Sequence, residues 1–411
     1  MGSKKPHSIF PMLQMSQLRK LLVVAATLAA SQAIAEDKPS AAPLPTGAAP
    51  ALSLKERFEN LGLIYRDKKN PGLQEFWVLG RYHGHIHDID GSHGQNSGYE
   101  SRRIRLGFQA QMFDKLTVHA QAISGSDFEP VYNGFTELWA RWQFNEAIGV
   151  TVGQQKHRFT HERNISSRYM GTFERSAFVN MMGLDYTPAV TLSGRVSKLD
   201  YYTGFFSNAA GTDMWQSFTE LNSGTSFIAA GTYDLGKSLG TENASFYGSY
   251  LRSDANANAT NLTRFDEAVS GALILTDGPA SLITEVVAGF GGQRGDAVGL
   301  VVQPGYFLTD TWEVVGRYQL ASASLPTGLS SQRRYERLAG LPNGDAYQAV
   351  YLGLNHYIAG HRLKLLGGME YSRMNQRDAF MVFAGIRMFF GPHSNAPYPG
   401  NKLLKGRFTD Q

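Results

Sequence analysis

A chain of 411 residues with 44 glycines, 24 phenylalanines, 19 tyrosines, 18% charged side chains and no cysteine is neither a disulfide-stapled small domain nor a highly charged disordered polymer. Its formal charge of +4 comes entirely from Lys4, Lys5, Arg19 and Lys20. The remainder balances 35 basic against 35 acidic residues and gives nucleic-acid binding no compositional support.

The first element along the chain has the composition of an export signal. Arg19 and Lys20 precede an apolar core, Leu21 to Ala30, that is too short to span a bilayer, and Ala33-Ile34-Ala35 supplies a small-residue cleavage site. Residues 1–35 are therefore assigned to a signal peptide, with 1–14 as an upstream extension. The mature chain is expected to start near Glu36. From Glu36 to Leu52 the sequence is rich in Ala and Pro without periodicity, so residues 36–73 read as a periplasmic lead-in, with a short amphipathic helix expected over Ser53 to Leu63. No later apolar stretch approaches the roughly twenty residues of a membrane helix, so an exported chain that inserts must do so as a β-barrel.

After Asn70-Pro71-Gly72 the texture turns to alternation with period two and keeps it to Phe390. In the first run Phe76, Val78, Gly80, Tyr82, Gly84 and Ile86 share one face, and Arg81, His83, His85 and His87 the other. In the second, Ile104, Leu106, Phe108, Ala110 and Met112 alternate with Arg103, Arg105, Gln109 and Gln111. The last sets Phe380, Val382, Ala384, Ile386, Met388 and Phe390 against Arg387. Similar runs lie near 115–123, 134–144, 147–155, 184–197, 200–207, 225–235, 245–252, 265–275, 281–290, 297–308, 311–320, 347–358 and 362–371. The total is about sixteen, and bacterial barrels have even strand numbers. Tight connections such as Phe113-Asp114-Lys115, Thr309-Asp310 and Ala359-Gly360 alternate with long polar ones such as Gln155 to Gly183 and Ala321 to Ala346. Short periplasmic turns and long outer loops produce that rhythm; a soluble sandwich, which also alternates, would not sort its connections so. Trp139, Trp142, Phe144, Trp312, Tyr318, Phe389 and Phe390 are expected to form interfacial girdles. The predicted fold is thus an all-β transmembrane antiparallel barrel over residues 74–390, with residues 391–411 as a C-terminal tail.

Several stretches resemble one family. They are Gly80-Arg81-Tyr82, the run Arg102-Arg103-Ile104-Arg105-Leu106-Gly107, the run Val152-Gly153-Gln154-Gln155-Lys156, and the loop from Ser166-Ser167-Arg168 through Phe173-Glu174-Arg175. Over about Leu61 to Phe206 the chain is similar to the phosphate-selective porin O and P family. The resemblance implies a homotrimeric porin of about sixteen strands in the outer membrane of a Gram-negative-type bacterium, with a third loop folded inward and arginines forming an anion path. Porins of this kind usually stop at the terminal aromatic of the last strand, whereas here Gly391 to Gln411 follows Phe390.

The residues themselves place the expected anion path on Arg81, Arg103, Arg105 and Arg141 of the wall and on Lys156, Arg158, Arg163, Arg168 and Arg175 of the long loop, against only Glu162 and Glu174 there. Inward Glu137, Glu285, Glu313 and Glu370 beside Arg141, Arg317 and Lys364 are expected mostly to shape the wall. His83, His85 and His87 share one strand face, a spacing that can bring imidazoles to one metal ion; their ordinary role is to line a wet pore. No spacing places a nucleophile beside a base, so no enzymatic activity and no cofactor are expected. Small anions such as phosphate, together with outer-membrane lipid, are the expected partners, and nucleic acid is not. The competing readings are a general non-selective diffusion porin and a structural or adhesive barrel without transport.

Overall fold

The structure is a computed structural model that describes residues 54–182, 186–209, 213–215, 218, 223–255, 265–292, 295–332 and 334–392. The expected signal peptide, most of the Ala/Pro-rich lead-in and residues 393–411 of the tail lie outside the described residues. A short helix, α1 (Leu54–Glu59), falls within the segment expected to be helical.

Seventeen strands follow, and sixteen of them, β2 to β17, close into one antiparallel barrel. The strands are β1 (Leu63–Arg66), β2 (Leu73–Gly91), β3 (Gly94–Met112), β4 (Leu116–Ile123), β5 (Phe135–Gln143), β6 (Gly149–Lys156), β7 (Tyr186–Val196), β8 (Leu199–Ser207) and β9 (Gly224–Gly236). They continue as β10 (Asn243–Ala255), β11 (Glu267–Asp277), β12 (Ala280–Phe290), β13 (Ala297–Phe307), β14 (Trp312–Ala323), β15 (Ala346–Tyr357), β16 (Leu363–Met374) and β17 (Arg377–Phe390). Every strand of the ring pairs with its sequence neighbours, and β17 returns to β2 in register from Ala379↔Gly91 to Phe390↔Gly80. Below that register β1 takes over the same edge of β2, pairing Leu63 with Trp77 and Arg66 with Glu75. The lead-in therefore ends as a short strand that continues the seam past the end of β17.

The alternation seen in the sequence is the alternation of two solvents. Leu106 (62% exposed), Phe205 (63%), Val190 (54%) and Val350 (55%) point outward to the bilayer. Arg105, Thr191, Glu285, Gln319, Lys364 and Arg387 point inward and are buried. The aromatic girdle expected from sequence needs two corrections. Trp139 stacks on His119 at 4.9 Å on the lumenal side, and Phe389 lies under the guanidinium of Arg168 at 4.9 Å. Both rings sit at positions of inward parity among polar neighbours, whereas Trp142 (39% exposed) and Tyr318 (40%) do face outward.

Candidate functional site: the inward third loop and its basic wall

The connection after β6, described over residues 157–182, enters the lumen. It carries two short helices, α2 (His161–Asn164) and α3 (Ala177–Met181), capped by the Thr160 and Ser176 side chains. A loop inside a barrel has backbone polar groups to satisfy away from bulk water, and the wall supplies the partners. Glu285 on β12 accepts the N–H groups of His161 (2.6 Å) and Glu162 (3.0 Å) at the start of α2. Glu162 in turn accepts from Ser176 N (2.9 Å) and Ser176 Oγ (2.6 Å) at the start of α3, and pairs with Arg317 at 3.3 Å. Arg317 also reaches Glu370 at 2.8 Å. On the adjoining strands β15 to β17, Lys364 donates to Met170 O (2.6 Å), Asn355 to Gly171 O (2.9 Å), and Arg387 to Met170 O (3.1 Å), Thr172 O (3.1 Å) and Phe173 O. The Phe178 ring packs on β13 where residue 299 is glycine; a Cβ there would lie 2.7 Å from the ring.

A second anchor comes from a β-bulge. Between His83↔Arg103 and Gly84↔Ser101 the register of β2 and β3 shifts, leaving Arg102 as the extra residue. Arg102 and Arg103, consecutive in sequence, thereby both reach Glu174, at 2.9 Å and 3.1 Å, one to each carboxylate oxygen. Burial alone would raise the Glu174 carboxyl, but Arg102 and Arg103 hold it well below the ordinary carboxylate range. Arg175 donates to the carbonyls of Glu162 (3.2 Å) and Ile165 (2.7 Å), so it braces the loop from within.

The remaining basic residues collect between the loop and the β2–β7 wall. Arg81 donates to Ser167 Oγ at 2.8 Å and feels the charges of Arg105, Arg168 and Glu137. Arg105 donates to Tyr186 OH at 3.1 Å and to Gln121 at 3.3 Å. The guanidinium groups of Arg105 and Arg163 lie over the Tyr186 ring at 5.4 and 5.9 Å. Arg158 lies over the Tyr202 ring at 5.8 Å, and Lys156 donates to Ile165 O at 3.3 Å. Arg168 donates to Pro392 O at 3.2 Å. Arg141 donates to Gln143 at 2.8 Å and feels the charge of Arg158. The carboxylate set among these groups is Glu137, which faces His119, Arg158, Arg105 and Lys156. Of the nine expected path residues, Arg103 and Arg175 are thus engaged in holding the loop, Arg81 and Lys156 also bond it at Ser167 and Ile165, and the other five lie around Glu137 and Tyr186 or flank them toward the turn-side rim.

The three histidines of β2 each take a separate partner, although the rings of His83 and His85 stack at 6.2 Å. His83 lies 3.5 Å from Arg103, His85 3.2 Å from Tyr335 OH, and His87 2.7 Å from Asn96. Among the described residues no group of three or more His, Cys, Asp or Glu side chains is placed to hold a metal ion. Sequence reasoning missed Tyr186, Arg102 and Asn355, and placed Arg387 inward without a role; the doubled arginine at 102–103 was the one visible sign of a bulge.

The seventh outer connection, described over residues 324–332 and 334–345, touches the third loop where Ser330 N donates to Met181 Sδ at 3.2 Å. Tyr335 packs on Phe383 at 5.0 Å, and Glu336 accepts from Gln332 N (2.6 Å) and Tyr347 OH (2.5 Å). Burial and the facing Glu370 push the Glu336 carboxyl up to about 7. A carboxyl raised when docked favours docking at low pH, and that contribution fades as pH rises from its ordinary value near 4.5 through about 7. The loop is therefore expected to be better protected from protease at about pH 5 than at about pH 8, with Glu336→Gln abolishing the difference. Equal cleavage rates at both pH values in the wild type would refute this.

A closed sixteen-strand barrel with a lipid-facing apolar exterior, a polar interior and a loop folded into the lumen is an outer-membrane porin. The sequence profile of the phosphate-selective porin O and P family matches residues 76–379, and the chain belongs to that family. No curated protein sequence matches it. Among solved structures it is similar to Salmonella typhi OmpF (12% identity, TM-score 0.55, covering 80% of this chain and 100% of that one). An anion-selective porin from Comamonas acidovorans (12%, 0.54, 77% and 99%) and Pseudomonas putida OprB (9%, 0.54, 77% and 94%) are similar to the same degree. The protein is a channel of the outer membrane of a Gram-negative bacterium that lets small solutes diffuse across it.

Proposed function

We propose that this porin, as a homotrimer, passes small anions in preference to cations, with phosphate among its solutes. The observation that carries the reading is the cluster of Arg81, Arg105, Arg158, Arg163 and Lys156 around the single carboxylate of Glu137. At about 4 Å a unit charge gains about 1 kcal/mol in bulk water but about 4 kcal/mol at the effective dielectric of a protein surface. About 1.4 kcal/mol already corresponds to a tenfold preference, so two or three such groups at the waist suffice. Guanidinium also grips phosphate through paired hydrogen bonds, and conduction requires that this grip stay weak enough for release.

Reversal potentials in a KCl gradient test the charge preference. The wild type is expected to favour chloride, and alanine at Arg105 and Arg163 together to reduce the preference at least tenfold. A cation-selective wild type, or no shift in the double variant, would sink the proposal. Block of chloride current by micromolar phosphate would separate a phosphate channel from a general anion porin, and absence of any conductance steps would favour a barrel without transport.

A further inference from the structure

On the side of the barrel away from the arginine cluster, the third loop roofs a cavity of about 320 Å³, at the small end of the range for small-molecule sites. Its rim comes from the turn-side ends of the barrel, at Glu242, Gly278, Pro279, Phe307 and His361, and its roof from the loop, at His161, Ile165 and Met170. It is therefore a chamber open toward the periplasm and closed above. For a porin lumen its wall is unusually apolar: Ile274, Ile283, Val301 and Val315 face inward on four successive strands.

Its charged groups are of one sign. The lining includes the carboxylates of Glu162, Glu242, Glu285 and Glu313 and contains no arginine or lysine. Glu162 and Glu285 are engaged in holding the loop. Glu313 differs: Asn355 (3.0 Å) and Tyr357 both donate to its Oε2, and a Cβ at Gly305 would stand 3.2 Å from Oε1, so the glycine keeps that oxygen uncovered. Lys364 lies near Glu313, but its ammonium donates to Met170 O. The second group is His161, 6% exposed, whose Nε2 is buried without a hydrogen-bond partner in the roof. Burial lowers its imidazole to about 4, so at neutral pH it adds no positive charge to the roof.

We propose that this chamber binds small organic cations: a single apolar ring or short chain carrying an ammonium group, its body against Ile274, Ile283 and Val301, its N–H groups toward Glu313 Oε1. An anion entering the chamber would meet carboxylates and no compensating cation in the lining, so the chamber selects against the solutes that the arginine cluster favours. The two halves of the lumen, separated by the third loop, thus recognise opposite charges.

Isothermal titration of the full-length detergent-solubilised protein at about pH 7.5 with benzylamine, benzyl alcohol and sodium benzoate tests this. Benzylamine is expected to bind, benzyl alcohol roughly tenfold more weakly for want of the charge-assisted contact, and benzoate not at all. Glu313→Gln keeps an acceptor for Asn355 and Tyr357 and should erase the preference for the amine over the alcohol. Ile283→Trp should narrow the chamber where the apolar body is proposed to lie and weaken binding of both. Each variant is first checked as a heat-modifiable barrel; should Ile283→Trp not assemble, Glu313→Gln decides. Benzoate binding as well as benzylamine, an unchanged preference in Glu313→Gln, or no binding of any probe to the wild type would overturn the proposal, and none of these results bears on chloride selectivity.

Discussion

Replacing Leu106 by arginine is expected to lower barrel stability by about 2–4 kcal/mol and to leave little assembled protein in the outer membrane. Leu106 is 62% exposed on the lipid face of β3, paired with Gly80 on one side and Ala122 on the other, so the guanidinium would have to lie in hydrocarbon or drag water to it. Its neighbour Arg105 points the opposite way, into the lumen, where Arg105→Ala removes contacts to Tyr186 and Gln121 without touching the strand ladder. That variant is expected to assemble normally. Heat-modifiability on gels and the yield of barrel in outer-membrane fractions measure both. The reverse outcome would mean that β3 is in the other register, because a slip of one residue exchanges its two faces.

Arg317→Ala is expected to release the third loop. The guanidinium stands between Glu162 of the loop and Glu370 of the wall, at 3.3 and 2.8 Å, and also donates to Glu174 O at 2.6 Å. Removing one partner of a buried ion pair typically costs about 3–5 kcal/mol, because the remaining charges stay buried and uncompensated. Here two carboxylates would face each other. The cheapest relief is for Glu162 to leave, and with it the hydrogen bonds that cap α3 at Ser176. Single-channel conductance should rise and protease should cut within residues 157–182, while the barrel, whose strand pairing does not involve Arg317's side chain, stays heat-modifiable. Arg317→Lys, which keeps the charge but loses the fork that spans two acids, should fall between. Wild-type conductance with an uncut loop in Arg317→Ala would show that the anchors at Glu285, Arg387 and Glu174 suffice alone.

The barrel was legible because each strand has one face in lipid and one in water, and that contrast repeats every second residue from Phe76 to Phe390. All sixteen ring strands coincide with runs of that alternation, and the inward fold of the third loop was implied by the family resemblance. The chemistry of the lumen was much less legible. Trp139 and Phe389 are aromatic at segment ends and so resemble girdle residues, but their parity turns them inward onto His119 and Arg168. Arg103 and Arg175 resemble pore cations, yet a bulge and a loop fold turn them to Glu174 and to backbone carbonyls.

By itself the sequence determined the solvent of each strand face, the number of strands and the alternation of turns and loops, since these follow from local period and composition. Only the tertiary structure decided which charges are free to meet a solute. The loop's partners Glu285, Arg317, Lys364 and Arg387 lie more than a hundred residues beyond it and meet it only when β17 closes on β2. Closure also sets the basic wall of β2–β7 across the loop from the apolar chamber of β11–β14. No local pattern carries that division, because it is a property of the ring and not of any strand.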